Sequence, residues 1–88
     1  MRILVIEDDS KMAELLQRGL SAEGHRVETA PDGSVGFKKA TGQSYDAIVL
    51  DVMLPGADGF SITRRLRAEG NETPILLLTG KDASTDVV

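Results

Sequence analysis

The sequence contains no cysteine, which excludes disulfide bonds and metal sites built on thiolates. It also lacks any apolar run close to the roughly 20 residues that a membrane-spanning helix requires. Its start, MRILVIEDD, carries one arginine followed by acids and shows no small-residue cleavage site, so it does not read as a signal peptide. These absences favour a protein of the cytoplasm that does not enter a membrane.

Positive charge is also scarce, because 10 Lys and Arg residues stand against 14 Asp and Glu residues, for a net charge of −4. The negatively charged phosphate backbone of a nucleic acid is repelled by an acidic chain. We therefore do not expect this chain to bind nucleic acid directly. No G-x-G-x-x-G or P-loop pattern follows the first strand, which disfavours a nucleotide-binding domain. The 88 residues form a single small domain, residues 1–88, with a modest core.

Apolar runs and helical patterns alternate along the chain. Continuous or alternating apolar runs predict strands, and apolar residues at helical spacing predict helices. The order β-α-β-α-β-α-β predicts an α/β fold with a doubly wound parallel sheet covered on both faces. The predicted strands are 2–6, 25–30, 45–51 and 73–80; the predicted helices are 10–23, 34–41, one from the end of the loop 52–58 to Gly70, and the start of another in 81–88.

Acidic residues follow the predicted strands at the point where function collects in an open parallel sheet. Glu7 and Asp8 follow the first strand, Asp51 ends the third, and Thr79 ends the fourth. At a separation near 4 Å and an effective dielectric constant near 20, each carboxylate pair repels by about 4 kcal/mol. A proton or a cation must neutralise such a cluster, and oxygen ligands on an open rim suit Mg²⁺.

A carboxylate beside a divalent cation can act as a nucleophile towards a phosphoryl group. The hydroxyl of Thr79 is placed to donate a hydrogen bond to a transferred oxygen. Pro55, Gly56 and Gly59 let the following loop approach closely, so that its backbone offers N–H donors and a carbonyl ligand. These residues together indicate that Asp51 is a phosphoacceptor.

Each of these residues also fits a structural role when it is taken alone. Glu7, Asp8 and Asp9 are typical of an acidic helix N-terminus. Asp51 is typical of a turn at the end of a strand, and Thr79 of a strand interior. Only the joint placement at one edge of the sheet favours the functional interpretation.

Three stretches resemble the receiver domain of two-component response regulators: ILVIEDD, DAIVLDVMLPGADGF and PILLLTG. They occur in the family's order and spacing. Their sequences are most similar to the receiver domains of the OmpR/PhoB-like winged-helix transcription factors. The resemblance implies a flavodoxin-like sheet with strand order 2-1-3-4. The family's fifth strand and fifth helix would then be missing, together with the lysine that pairs with the phosphoryl group.

The resemblance implies a role for each matching residue. Asp51 becomes the phosphoacceptor and Thr79 the switch hydroxyl, while Asp8 binds Mg²⁺ directly. Glu7 acts on the metal through water, and Met53 offers its backbone carbonyl. Family members receive the phosphoryl group from a sensor histidine kinase and control a downstream output that is usually transcriptional. The implied protein is a signalling switch that catalyses its own phosphorylation, and not a turnover enzyme.

The missing elements would leave the fourth strand, ILLL, as an exposed apolar edge. We therefore expect either self-association through that edge, by strand pairing or a segment swap, or a poorly folded monomer.

Two other functions remain open. The first is a Mg²⁺-dependent phosphohydrolase with an aspartyl nucleophile. Such enzymes typically carry an acidic residue two positions after the nucleophile, where this chain has Met53, and this counts against that function. A receiver that cannot be phosphorylated would instead act as a dimerising interaction module, and an absence of Mg²⁺-dependent chemistry at Asp51 would favour it.

Overall fold

The computed structural model describes residues 1–78 and 85–87. Strands and helices alternate, and a short hairpin precedes the third helix. Within the described ranges, no helix has the length and apolar character needed to cross a membrane. The elements are β1 (Arg2–Ile6), α1 (Ser10–Ala22), β2 (Arg26–Ala30), α2 (Gly33–Gly42), β3 (Ala47–Asp51), β4 (Met53–Leu54), β5 (Ala57–Asp58), α3 (Gly59–Ala68), β6 (Ile75–Leu78) and β7 (Thr85–Val87).

The main sheet has the strand order β2-β1-β3-β6-β7. Its first four strands run parallel, so the predicted order 2-1-3-4 is confirmed with β6 as the fourth parallel strand. The register places Ile6 at the end of β1 beside Ala30 of β2 and Leu50 of β3. The carboxyl ends of these three strands therefore reach the same edge of the sheet.

Side chains alternate between the two faces of the sheet and build one core on each face. The larger core lies beneath α2 and α3, and the smaller core lies beneath α1. Burying each large aliphatic side chain contributes about 1.5–3 kcal/mol to the stability of the fold. A chain this small therefore needs the cores on both faces of the sheet to stay folded. The first core includes Leu4, Ile6, Ile48, Leu50, Ile62, Leu66, Ile75 and Leu77; the second includes Ile3, Val5, Val49, Leu16 and Leu20.

The helices begin and end at residues with clear physical roles. Asp9, Asp32 and Asp58 are the N-caps of α1, α2 and α3, and their side chains accept hydrogen bonds from backbone N–H groups of the first turn. Such a cap is worth about 1 kcal/mol. Gly24 and Gly70 follow α1 and α3 with φ of 91° and 81°, the left-handed conformation that ends helices.

Arg2 ties the strands together at the opposite edge, where they begin. Its guanidinium donates to Glu28 at 2.9 Å and stacks over the Tyr45 ring at 5.0 Å from the centroid. Its backbone N–H donates to Asp46 Oδ2 at 2.7 Å. The hydrogen bond from Arg2 lowers the pKa of Glu28, because it stabilises the charged carboxylate. These four residues hold the amino edge of the sheet.

Two predictions are wrong at Thr85–Val87. The sequence predicted the start of a helix in 81–88, and it predicted that the edge of the fourth strand is exposed. Residues Thr85–Val87 form β7, which pairs antiparallel with β6 and places Asp86 opposite Leu77. Unpaired N–H and C=O groups along an apolar edge favour such pairing. The chain returns antiparallel because a parallel return needs a crossover of a dozen or more residues. The fourth strand is therefore covered at Leu76–Leu78, and the self-association expected through its edge stays a prediction.

Replacing Gly36 by alanine should destabilise the larger core. A Cβ at this buried position of α2 would lie 2.6 to 2.8 Å from three atoms of the Ile6 side chain. We expect Gly36→Ala to lower the free energy of unfolding by about 1–3 kcal/mol, measured by urea unfolding with circular dichroism. The control is Gly19→Ala in α1, where a Cβ meets nothing within 4 Å; it should stabilise by about 0.5–1 kcal/mol. Equal effects of the two substitutions would contradict the packing.

Candidate functional site

Three acidic side chains meet at the carboxyl edge of the sheet. Glu7 and Asp8 follow β1 directly, and Asp51 is the last residue of the neighbouring β3. One carboxylate oxygen from each of them lies within 4.8 Å of the others. The structure thus brings together the three carboxylates that the sequence placed at this edge.

Glu7 is the buried member of this cluster, with 8% of its surface exposed. Its Oε2 is buried and has no hydrogen-bond partner among the described residues. Burial raises the pKa of Glu7 to about 8, assisted by the hydrogen bond and charge of Asp51 and by the charges of Asp8 and Asp9. A buried carboxylate is costly unless it is neutralised, so without a cation Glu7 holds a proton at neutral pH.

The donor set fits a hard divalent cation. Asp8 is exposed and Asp51 is half-buried, so the cluster opens to solvent on one side while Glu7 closes the other. Carboxylate oxygens on an open rim are the ligands that Mg²⁺ prefers. A cation here would also supply the partner that Oε2 of Glu7 lacks among residues 1–78 and 85–87. The cluster therefore has the chemistry of a Mg²⁺ site.

The segment after Asp51 is a tight hairpin, although the sequence predicted only a loop at 52–58. Strands β4 and β5 pair antiparallel, and Gly56 turns between them with φ of 74°. The backbone N–H of Met53 donates to Oδ1 of Asp51 at 3.0 Å, while its side chain is 65% exposed. The amide of Met53 thus contacts Asp51, and the role of the Met53 carbonyl as a metal ligand stays a prediction.

The N-terminus of α3 packs directly on the backbone of Asp51. A Cβ on Gly59 would lie 2.7 Å from the Asp51 carbonyl oxygen and 3.0 Å from Val52 Cα, so only glycine fits. The Gly59 N–H donates to the Val52 carbonyl at 2.8 Å, and the buried Thr63 hydroxyl donates to the Gly59 carbonyl at 2.8 Å. The close approach of Gly59 was predicted; nothing in the sequence singled out Thr63.

A cleft of about 360 Å³ opens beside Glu7 and Asp8 and reaches Glu14 and Gln17 of α1 and Thr29 near the end of β2. The sequence did not predict these last three residues as part of the site. Glu14 and Gln17 lie on α1 and Thr29 lies on β2, so their meeting beside Glu7 depends on how these elements pack, which no local pattern reveals.

Thr79, predicted as the switch hydroxyl, lies outside the described residues. Its role therefore stays a prediction.

The stability of the metal-free chain should depend on the proton held by Glu7. Because the folded-state pKa of about 8 lies above the ordinary 4.5, the folded chain binds a proton in this interval that the unfolded chain releases. Stability should therefore rise as the pH is lowered from about 8 towards 5, and fall as the pH is raised again. Thermal melts in EDTA would measure this slope. Glu7→Gln, which stays neutral at every pH, should flatten it; equal slopes in both proteins would refute the assignment.

Comparison with known proteins gives a family and close relatives. The family model described as the response regulator receiver domain matches residues 3–88. The transcriptional regulatory protein TcrA of Mycobacterium tuberculosis is 52% identical over 86 residues, covering 98% of this chain and 34% of TcrA. The chain thus spans about a third of the length of this relative.

Solved structures agree with the sequence matches. The response regulator TrrA from Thermotoga maritima, in complex with Mg²⁺-BeF, superposes with a TM-score of 0.86 at 34% identity, covering 92% of this chain and 70% of TrrA. The complex of the histidine kinase ThkA with TrrA gives a TM-score of 0.83 at 35% identity, covering 90% of this chain and 68% of the matched chain. On the fold and on the match to residues 3–88, the chain belongs to the response regulator receiver domain family.

Proposed function

We propose that this chain accepts a phosphoryl group on Asp51 and acts as the receiver module of a two-component response regulator. The observation that carries the proposal is the meeting of Asp51 with Glu7 and Asp8, whose oxygens lie within 4.8 Å of one another. Asp51 is half-buried, so part of its side chain is reachable by a donor.

Asp51 is prepared for nucleophilic attack by its neighbours. The Met53 amide holds Oδ1, which leaves Oδ2 as the attacking oxygen. In the proposed transfer, this oxygen bonds to the phosphorus of a phosphohistidine, the P–N bond breaks, and the released imidazole nitrogen takes up a proton. Gly59 fixes the Asp51 backbone from the other side, since no larger residue fits against its carbonyl.

Glu7, Asp8 and Asp51 would hold the divalent cation, with the carbonyl of Met53 as a further proposed ligand and Thr79 as the hydroxyl that bonds to the phosphoryl group. When bound, Mg²⁺ supplies positive charge that stabilises the phosphoryl oxygens during transfer. Glu7, whose pKa is raised to about 8, must give up its proton when it meets the cation. Metal binding at neutral pH should therefore release a proton.

We assign a sensor histidine kinase as the phosphoryl donor and transcription control as the output of the whole protein. The solved complex of ThkA with TrrA supports the first assignment, and the name of TcrA as a transcriptional regulatory protein supports the second. The phosphoryl group stays on Asp51 as a signal, so the chain is a switch and not a turnover enzyme. Such a switch works in the cytoplasm.

Incubation with acetyl phosphate and Mg²⁺ should add one phosphoryl group to the chain, because the small donor replaces the kinase and acetate leaves. Intact-mass spectrometry would measure the addition. Asp51→Asn should show none, and removal of Mg²⁺ should abolish uptake by the unaltered chain. The matched control is Asp58→Asn in the same hairpin, where asparagine still caps α3. Uptake by Asp51→Asn, or no uptake by the folded unaltered chain, would refute the proposal.

Mg²⁺ should stabilise the chain against heat, by about 2.7 kcal/mol at a hundredfold excess over its Kd. In differential scanning calorimetry, Asp51→Asn should unfold at a higher temperature than the unaltered chain without metal, because it relieves carboxylate repulsion. The same variant should gain less from Mg²⁺, because it loses a ligand. An Asp51→Asn chain that is clearly less stable without metal would contradict the crowding of the three carboxylates.

A further inference from the structure

A second concave surface includes the turn of the hairpin that follows Asp51. It is a groove of about 610 Å³ between α2, α3 and the turn that joins β4 to β5. Its apolar lining includes the buried Ile62 and the half-buried Phe37 and Ala57. Lys38 and Arg65, both exposed, also line it. We call this surface the α2–α3 groove.

The helices that form the groove are basic, although the chain is acidic. Half of the chain's 10 Lys and Arg residues lie on them, and neither helix contains an acidic residue. The aspartates that precede both helices are engaged as N-caps. The basic residues are Lys38 and Lys39 in α2 and Arg64, Arg65 and Arg67 in α3.

Some of these cationic side chains donate hydrogen bonds to backbone carbonyls of the fold, and others do not. Lys39 donates to the Thr29 carbonyl, and Arg67 donates to the carbonyls of Asn71 and Thr73. Lys38 and Arg65, by contrast, make no ion pair with any residue in 1–78. The two cations that line the groove thus keep their charge available for a ligand.

Arg65 is held in position by an aromatic ring. Its guanidinium lies 4.1 Å from the centroid of Phe37, a cation–π contact that leaves the guanidinium N–H groups free to donate. The same contact covers a face of Phe37, so that face is not available for stacking on a nucleic-acid base. The groove therefore presents directed donors beside an apolar floor.

We propose that the α2–α3 groove binds an acidic protein segment that carries an apolar side chain. The apolar side chain would pack on Ala57 and on the part of Phe37 that Arg65 leaves uncovered, and flanking carboxylates would pair with Lys38 and Arg65. Charge complementarity favours this occupant, because the groove is lined by two cations and one acid, Asp32, whose carboxylate is engaged as the cap of α2. A nucleic acid would instead need a row of cations along its backbone and would make no use of the apolar floor.

The groove is mechanically connected to Asp51. One wall is the turn 55–57, which belongs to the hairpin whose Met53 amide donates to Asp51. Phosphorylation of Asp51, which rests on the proposed function, would change the oxygens that accept this bond. Segment binding and phosphorylation are then linked and each changes the equilibrium of the other. Binding itself needs no phosphorylation.

Fluorescence anisotropy with the full 88-residue chain tests the proposal. The probe is a labelled twelve-residue peptide in which acidic residues flank a central Leu-Phe pair. We expect Lys38→Glu and Arg65→Glu each to weaken binding by about tenfold. The charge-matched control, Arg18→Glu, changes a cation of α1 that is 77% exposed and should leave binding unchanged. The assay contains neither Mg²⁺ nor a phosphoryl donor, which separates this result from the fate of phosphoryl transfer.

Three outcomes would overturn the proposal. The first is no binding of the peptide by the unaltered chain up to about 1 mM. The second is equal binding of a peptide whose Leu-Phe pair is replaced by two alanines, since attraction would then need no apolar floor. The third is displacement of the peptide by a DNA duplex whose own binding is lost in Arg65→Glu, which would mark a nucleic-acid surface instead.

Discussion

Three carboxylates crowded at one edge of a parallel sheet are the constraint on which the rest of this site depends. Their oxygens lie within 4.8 Å of one another, and Glu7 is buried, so they cannot all carry charge without a counter-charge. The pairing of β1 with β3 forces them together, because parallel neighbours end at the same edge. Either a proton or a cation can then neutralise the carboxylate cluster. A site with these alternatives links metal binding to proton release.

The backbone around Asp51 is positioned from both sides. Met53 donates its amide to the carboxylate, and Gly59 brings α3 against the Asp51 carbonyl so closely that no Cβ fits. Thr63 in turn holds the Gly59 carbonyl. Asp51 is therefore fixed by the start of a helix and by a hairpin, and not by its own strand alone. Rigid elements of this kind place a reacting group more precisely than a free loop does.

The strands and the convergence of the acids were predictable, because continuous apolar runs mark buried strands and topology fixes where they end. The Asp9 cap was predictable from local chemistry. The unpartnered oxygen of Glu7, the hydroxyl of Thr63 and the cleft near Thr29 were not, since each depends on atoms that packing brings together. Strand β7 was missed because pairing with an open apolar edge overrode a weak local helix pattern in its residues.

The network around Arg2 lies at the edge of the sheet opposite the acidic site. Arg2 joins Glu28 of β2 and Asp46 before β3 and covers Tyr45, so three strands are tied together by residues outside the acidic cluster. Losses of stability caused by substitutions at the acidic edge can therefore be compensated at the amino edge without altering the reacting groups. Stability and the acidic cluster can therefore be altered independently, each at its own edge of the sheet.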